Sequence, residues 1–262
     1  MSLLQAIFLG VVQGLTEFLP VSSSGHLVFF QSFFGMEEPQ LFFVVMLHFG
    51  TLLAVVVYFR RELSGIIRGI GSMVTGKKKN KEEMKLLFWI LLATLPTGFM
   101  GLLLKDWLES LFSKPNIVGG MLLITGSTLY LTRWIKREGR LLEKMKWTDA
   151  ILIGAAQGVA IIPGISRSGA TISMGLFCGL NRELAGKFSF LLSIPAILGA
   201  MLLEFRGASL TNDLLPILIG TAIAFGVGFF SLNFLMKVIR FGGVANFSYY
   251  CWGIGLLVIL LT

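Results

Sequence analysis

The sequence predicts an all-α, polytopic integral membrane protein, built as two inverted-topology repeats that each carry a re-entrant helical hairpin. Three observations predict it. Of 262 residues, 55% are hydrophobic and only 14% charged, with a mean hydropathy of +0.82, whereas a soluble domain carries roughly 25% charged residues. Long apolar runs separate the clustered charges. A short motif also occurs twice, once near the start of each half.

The first segment, Ser2–Gly35, is apolar but broken by Gln13, Glu17 and Pro20. It lacks the basic n-region of a signal peptide, so it is read as a retained part of the fold. Leu41–Phe59, Leu86–Leu104 and Ile117–Leu131 follow as apolar runs. Phe188–Leu203, Leu214–Met236 and Val244–Leu261 complete the set. A crossing helix needs about 20 mostly apolar residues, with tilt and snorkelling absorbing small differences. Strands of an outer-membrane barrel would alternate apolar and polar positions, and these runs do not.

The formal charge of +8 does not point to nucleic acid. Most of it lies in Arg60–Lys85, with Lys77, Lys78 and Lys79, and in Arg133–Lys146, with Arg137 and Arg140. Both are read as short basic loops beside spans, where the positive-inside rule puts cytoplasmic segments. On that rule Leu41–Phe59 runs inward, Leu86–Leu104 outward to an external loop at Lys105–Pro115, and Ile117–Leu131 inward again. Phe188–Leu203 then runs outward, Leu214–Met236 inward to Lys237 and Arg240, and Val244–Leu261 outward. Trp107, Trp134 and Trp147 fall at span ends, as interfacial anchors do. Cys178 and Cys251 sit in apolar segments and read as small buried hydrophobes rather than a disulfide.

The repeat aligns without a gap. Gln13, Gly14, Ser22, Ser24 and Gly25 coincide with Gln157, Gly158, Ser166, Ser168 and Gly169, and Val21 faces Ile165. This divides a single membrane domain, 1–262, into repeat one (about 1–147) and repeat two (about 148–262). An odd number of crossings separates the copies, so the halves are inverted, an arrangement that brings broken helices together near the midplane. Pro20 and Pro163 interrupt helices beside Ser/Gly clusters. Irregular backbone at membrane depth is tolerated only against protein or a water-filled cavity. Ser2–Gly35 and Asp149–Gly179 are therefore expected as re-entrant hairpins.

The chemistry concentrates in those hairpins. Glu17, His26 and Arg167 are ionisable residues in apolar surroundings, a placement costing at least about 2.5 kcal/mol for Arg on insertion scales. A structural ion pair between Glu17 and Arg167 would account for two of them, but not for the hydroxyls of Thr16, Ser22, Ser23, Ser24, Ser166, Ser168, Thr171 and Ser173. Arg, hydroxyls and new helix N-termini together suit a phosphate group. Gln13 lies one turn before Glu17 on the same helical face. That pair could hold Mg²⁺ or Ca²⁺, which take oxygen ligands and bridge to phosphate. A Ser near a His supplies a nucleophile and an acid/base.

Gln13-x-x-x-Glu17, Pro20-Val21-Ser22-Ser23-Ser24-Gly25-His26 and Pro163-Gly164-Ile165-Ser166-Arg167-Ser168-Gly169-Ala170-Thr171 closely resemble the undecaprenyl pyrophosphate phosphatases of the bacitracin-resistance type. The resemblance extends over the chain in length, hydropathy and repeat layout. It implies hydrolysis of undecaprenyl pyrophosphate to undecaprenyl phosphate and phosphate at the outer face of the bacterial cytoplasmic membrane, dependent on a divalent cation (Mg or Ca). This recycles the lipid carrier for cell-wall synthesis and confers bacitracin resistance. The family's first motif reads Glu or Gln, three residues, then Glu; this chain has the Gln form. Carried over, Glu17 is the metal-linked acid with Gln13 assisting, and Arg167 clamps the pyrophosphate. Ser22, Ser24, Ser166, Ser168 and Thr171 line the phosphate pocket. Ser23 is the nucleophile with His26 as acid/base, or His26 is itself the nucleophile.

Ser24-Gly25-His26 and Ser166-Arg167 also resemble parts of the acid-phosphatase-like lipid phosphatases. That type needs a second His after its Ser-Arg element, and the only other histidine, His48, lies far upstream. His48 reads as a helix-contact residue. A transporter or flippase for a lipid phosphate is the alternative function, since inverted repeats and buried charge serve transport too. Expected partners are the polyprenyl pyrophosphate, membrane lipids and, as a possible assembly, a second copy in a homodimer; no nucleic acid is expected.

Overall fold

In the computed structural model, residues 1–36, 41–75, 81–104, 111, 115–135, 138–204 and 214–261 are described. They form α1 (Leu3–Thr16), α2 (Ser23–Phe33), α3 (Leu41–Tyr58), α4 (Arg60–Thr75), α5 (Lys81–Leu103), α6 (Pro115–Leu131), α7 (Trp147–Val159), α8 (Arg167–Phe177), α9 (Arg182–Glu204), α10 (Leu214–Phe241) and α11 (Phe247–Leu261). There is no β-strand among the described residues, only an isolated bridge between Arg140 and Leu180. Four helices are long and apolar enough to cross a membrane, or five if the bent pair α3–α4 counts as one span. The protein is thus a multi-pass α-helical membrane protein. Its outer surface is apolar as lipid requires, with Leu4, Phe99, Leu202, Phe230 and Leu260 exposed.

The motif segments are helix pairs too short to span. α1 has 14 residues and α2 11, while α7 has 13 and α8 11. At 1.5 Å per residue none exceeds about 21 Å, against about 30 Å of hydrocarbon. Each pair breaks where the sequence places Pro20 or Pro163. α1 opens with a capping box between Ser2 and Gln5. Asp149 secures α7: its Oδ2 accepts from the Lys146 backbone N–H at 2.8 Å and pairs with Arg140 at 2.9 Å.

Packing partners exchange between the two halves. α1 packs on α10, and its motif counterpart α7 packs on α5; α3 packs on α10, and α9 on α5. α6 packs on α11, and α3 on α9, across the division. Glycines permit the closest approaches. A Cβ at Gly10 would lie 2.6 Å from the Gly220 carbonyl oxygen, and one at the equivalent Gly154 would strike the Ala93 carbonyl. This exchange fits two inverted repeats.

One expectation needs correction. Residues 60–75, read as a basic loop, form the helix α4, set at 76° to α3. Within it Ile66 is buried while Arg60 and Arg61 are exposed, a helical alternation that the charge count obscured. Lys77, Lys78, Lys79 and Arg137 lie outside the described residues, as does most of Lys105–Pro115, including Trp107. Trp134 and Trp147 are exposed, and both cysteines are free. The charged ends gather: Lys187 pairs with Glu62 at 3.0 Å, Arg240 with Glu183 at 2.7 Å, and Lys85 Nζ donates to the Glu143 carbonyl at 2.5 Å. The C-terminal ends of α3 and α10 and the N-terminal ends of α5 and α9 therefore share one charged face.

Candidate active site

Both motif turns converge on Glu17. This residue caps the C-terminus of α1 and is only 7% exposed. Its Oε2 accepts a hydrogen bond from Ser23 Oγ at 2.6 Å and another from Gln13 Nε2 at 3.1 Å. Its Oε1 accepts from Arg167 Nη2, closing an ion pair between the first motif and the second. A buried carboxylate needs this compensation, since an unpaired charge out of water costs several kcal/mol. The pair joins residues that stand 150 apart in sequence.

The site lies well inside the helix bundle, away from the ends of α3. Gln13 Nε2 also reaches Thr51 Oγ1 at 3.4 Å, and His48 Nε2 stands 3.7 Å from Glu17 Oε2. His48 is ten residues before Tyr58, the end of α3, which is about 15 Å of helix at 1.5 Å per residue. A span end at Tyr58 would put that distance at half of a hydrocarbon core about 30 Å thick.

Ser22 sits between Glu17 and Ser23 with φ 68°, the only non-glycine residue with positive φ among the described residues. Such a conformation costs on the order of 1–3 kcal/mol and collects at functional sites. His26 holds it in place: its Nδ1–H donates to the Ser22 carbonyl at 2.8 Å, and its backbone N–H donates there too. A carbonyl cannot donate, so Nδ1 carries the hydrogen. In the neutral ring Nε2 is then an acceptor, and it meets Tyr250 O–H at 2.7 Å. His26 therefore has both nitrogens engaged, and the Ser23 hydroxyl donates its hydrogen bond to Glu17.

The remaining predicted residues form the walls of the two turns. Ser22 Oγ lies 3.4 Å from Ser24 Oγ, and the equivalent Ser166 and Ser168 hydroxyls lie 3.2 Å apart. Ser166 Oγ caps α8 by accepting from the Gly169 N–H at 3.1 Å, whereas Ser22 makes no side-chain cap on α2. The first N–H groups of α2 are thus left free of a side-chain acceptor from that position. Thr171 is 1% exposed; its hydroxyl donates to the Arg167 carbonyl at 2.8 Å and lies 2.5 Å from Ser189 Oγ. Its contribution is to hold α8 against α9. Thr125 Oγ1 donates to the Gly164 carbonyl at 3.0 Å and accepts from the Ser166 N–H at 3.1 Å, fixing the second turn.

Two buried polar atoms at the site have no hydrogen-bond partner: Gln13 Oε1 and Arg167 Nη1. One is the acceptor of an amide whose Nε2 faces the Glu17 carboxylate, so a flip of that amide would turn an oxygen to the place a cation would take. The other is a guanidinium donor, the position an anionic oxygen would take. No group of three or more His, Cys, Asp or Glu side chains able to hold a metal occurs among the described residues. Any ion here would rest on Glu17, the Gln13 carbonyl and substrate oxygens. Metals that bind through one carboxylate plus phosphate do so in this way, so the donor set fits a divalent cation.

Sequence reasoning located Gln13, Glu17, Ser23, His26 and Arg167 but missed Thr51, Thr125 and Tyr250, and read His48 as a helix contact. A signal was present for two of them. His48 and Thr51 are the only hydrogen-bonding side chains in the run from Leu41 to Val57, and they share a helical face.

The family model described as Bacitracin resistance protein BacA matches residues 6–257. A protein of Desulfatibacillum aliphaticivorans named undecaprenyl-diphosphatase is 42% identical, covering 98% of this chain and 98% of its own. One of the same name from Desulforapulum autotrophicum is 45% identical, over 99% of this chain and 98% of its own. Another, from Korarchaeum cryptofilum, is 43% identical over the whole of both chains.

Proposed function

The chain belongs to the bacitracin resistance protein BacA family, and from that premise we infer how its residues carry out the family's chemistry. It is a membrane-embedded undecaprenyl-diphosphatase, a hydrolase that removes phosphate from undecaprenyl pyrophosphate. The observation that carries the mechanism is the chain Ser23–Glu17–Arg167, which joins both motif turns inside the helix bundle.

In the proposed reaction Ser23 Oγ forms a bond to the terminal phosphorus while its proton passes to Glu17 Oε2. The bond from phosphorus to the bridging oxygen breaks, and Glu17 returns the proton to the departing undecaprenyl phosphate. Water then attacks the phosphoserine, giving its proton to Glu17, and Glu17 protonates Ser23 Oγ as inorganic phosphate leaves. Arg167 Nη1 and the free N–H groups at the start of α2 stabilise the charge on the transferred phosphoryl oxygens. His26, oriented by Tyr250, holds the Ser22 carbonyl and thus the strained turn that aims Ser23. Ser24, Ser166 and Ser168 border the phosphate site. Glu17 and Gln13 would hold a divalent cation, which when bound would add charge neutralisation for the pyrophosphate.

The two inverted repeats, about 1–147 and 148–262, would each contribute one re-entrant hairpin to this centre. The charged face is assigned to the cytoplasm by the positive-inside rule, and the site is proposed to open on the opposite, outer side of the bacterial cytoplasmic membrane. A membrane-impermeant maleimide should label a cysteine placed at Ser113 in intact cells but not one placed at Glu143. The reverse pattern puts the site on the inner side. A transporter has no use for a serine proton held against a carboxylate, so that reading is not favoured.

The test of function is phosphate release from undecaprenyl pyrophosphate by protein in detergent, where transport is undefined. Release that a chelator abolishes and a divalent cation restores is the expected result. Chelator-insensitive release would remove the metal from this mechanism. No release by folded protein would return the lipid-phosphate transporter.

A further inference from the structure

We propose that His48 is a ligand of the divalent cation, so that this site has a nitrogen donor and favours a first-row transition ion such as Mn²⁺ over Ca²⁺. The inference rests on the metal reading above and deepens it.

His48 lies on α3, which faces the motif turn with two polar side chains. Thr51 receives the Gln13 amide, and His48, one turn earlier, faces Glu17. The ring is not free to turn. Its Nδ1 lies 2.9 Å from the Val44 carbonyl, an acceptor that cannot donate, so Nδ1 carries the hydrogen. The ring is thereby oriented with Nε2, the nitrogen available to a metal, towards Glu17 Oε2 at 3.7 Å. This separation is too long for a hydrogen bond.

Two potential ligand atoms thus face each other across a gap that no hydrogen bond closes. Arg167 neutralises the other carboxylate oxygen, Oε1, and leaves this gap untouched. The Gln13 amide adjoins it: Nε2 lies 3.1 Å from Glu17 Oε2, and Oε1 is buried without a partner. An amide flip, which exchanges the two atoms, would bring that oxygen to the carboxylate as well. Two ligand atoms each about 2.1 Å from one ion are at most about 4.2 Å apart, so a single cation spans the 3.7 Å gap. The His48 side chain is 27% exposed, so the ring is not sealed within the core. Nδ1–H on a backbone carbonyl is also the usual way a metal-binding histidine is oriented.

The donor set would then be one carboxylate, one amide oxygen, one imidazole nitrogen and substrate oxygens. Ca²⁺ and Mg²⁺ favour oxygen alone, whereas imidazole suits first-row transition ions. His48 would therefore set the ion class, not merely the affinity.

The test uses the full chain in nanodiscs, without a histidine tag, stripped with chelator and loaded with Mn²⁺ alone. Pulsed electron paramagnetic resonance of the bound Mn²⁺ should show coupling to an imidazole nitrogen. The chain has two histidines, and the coupling should vanish in His48→Gln but persist in His26→Gln. Mn²⁺ affinity in His48→Gln should fall by about tenfold or more, with Mg²⁺ affinity, read by competition, much less changed. Wild-type Mn²⁺ without nitrogen coupling, displaced by Glu17→Gln, would place the ion at Glu17 without His48 and overturn this inference alone. Mn²⁺ binding that is absent, or indifferent to Glu17→Gln, would overturn the metal reading and the inference with it. The wild-type spectrum decides the point even if a variant fails to fold.

Discussion

Ser23→Ala is expected to lower phosphate release by about 10⁴-fold or more, the scale seen when a catalytic serine is removed, while leaving the fold intact. The hydroxyl makes one hydrogen bond, to Glu17, and the residue is half-buried at the first turn of α2. Removing one such bond to a charged acceptor costs roughly 1.5–3 kcal/mol, and alanine is the best helix former. Glu17 keeps its bonds to Gln13 and Arg167, so it is not left uncompensated. A melting temperature within a few degrees of wild type, with no detectable turnover, is the predicted combination. His26→Gln separates the two nucleophile assignments. If Ser23 attacks, this change acts through the Ser22 turn and leaves residual turnover above that of Ser23→Ala. Release by Ser23→Ala at near wild-type rate, with none by His26→Gln, would make His26 the nucleophile.

The parts of this site that were legible in the sequence are those written twice. Gln13, Ser22, Ser24 and Gly25 recur at a fixed offset as Gln157, Ser166, Ser168 and Gly169, and that repetition marks both turns before any helix is placed. Glu17 and Arg167 stand out because charge is costly in an apolar segment. Neither signal reveals which carboxylate oxygen meets which partner. That depends on Ser22 adopting φ 68°, a backbone choice no residue type announces, since serine there is not glycine. Tyr250 and Thr125 were illegible for another reason. Each belongs to a helix distant in sequence, and each is one polar residue among several near a span end or within a small-residue stretch. Helix α4 was hidden by its charge: the arginines that signal topology also form the exposed face of an amphipathic helix. The six long apolar runs, by contrast, appear as α3, α5, α6, α9, α10 and α11 with boundaries shifted by a few residues, because lipid leaves the backbone few other choices.

The second large effect concerns Glu17 and Arg167 together. Glu17→Gln should abolish turnover, because the amide cannot take the Ser23 proton; loss of a positioned base alone is typically about 10²–10⁴-fold. It should also destabilise the protein, since it leaves the Arg167 guanidinium 19% exposed and without its counter-charge. Breaking a buried pair from one side costs about 3–5 kcal/mol, whereas replacing both members by neutral groups of similar volume is often neutral or stabilising. Arg167→Met should likewise be inactive and destabilised, for its loss strands Glu17. The double variant Glu17→Gln/Arg167→Met should therefore recover most of the stability lost by either single change, measured as detergent-resistant thermal unfolding, and recover none of the activity. That split follows from the two roles the pair fulfils: each residue neutralises the other in the resting protein, and each acts on substrate separately. Stability losses that simply add in the double variant would mean the two side chains do not compensate each other. Activity returning with stability would mean that neither acts on the phosphate directly.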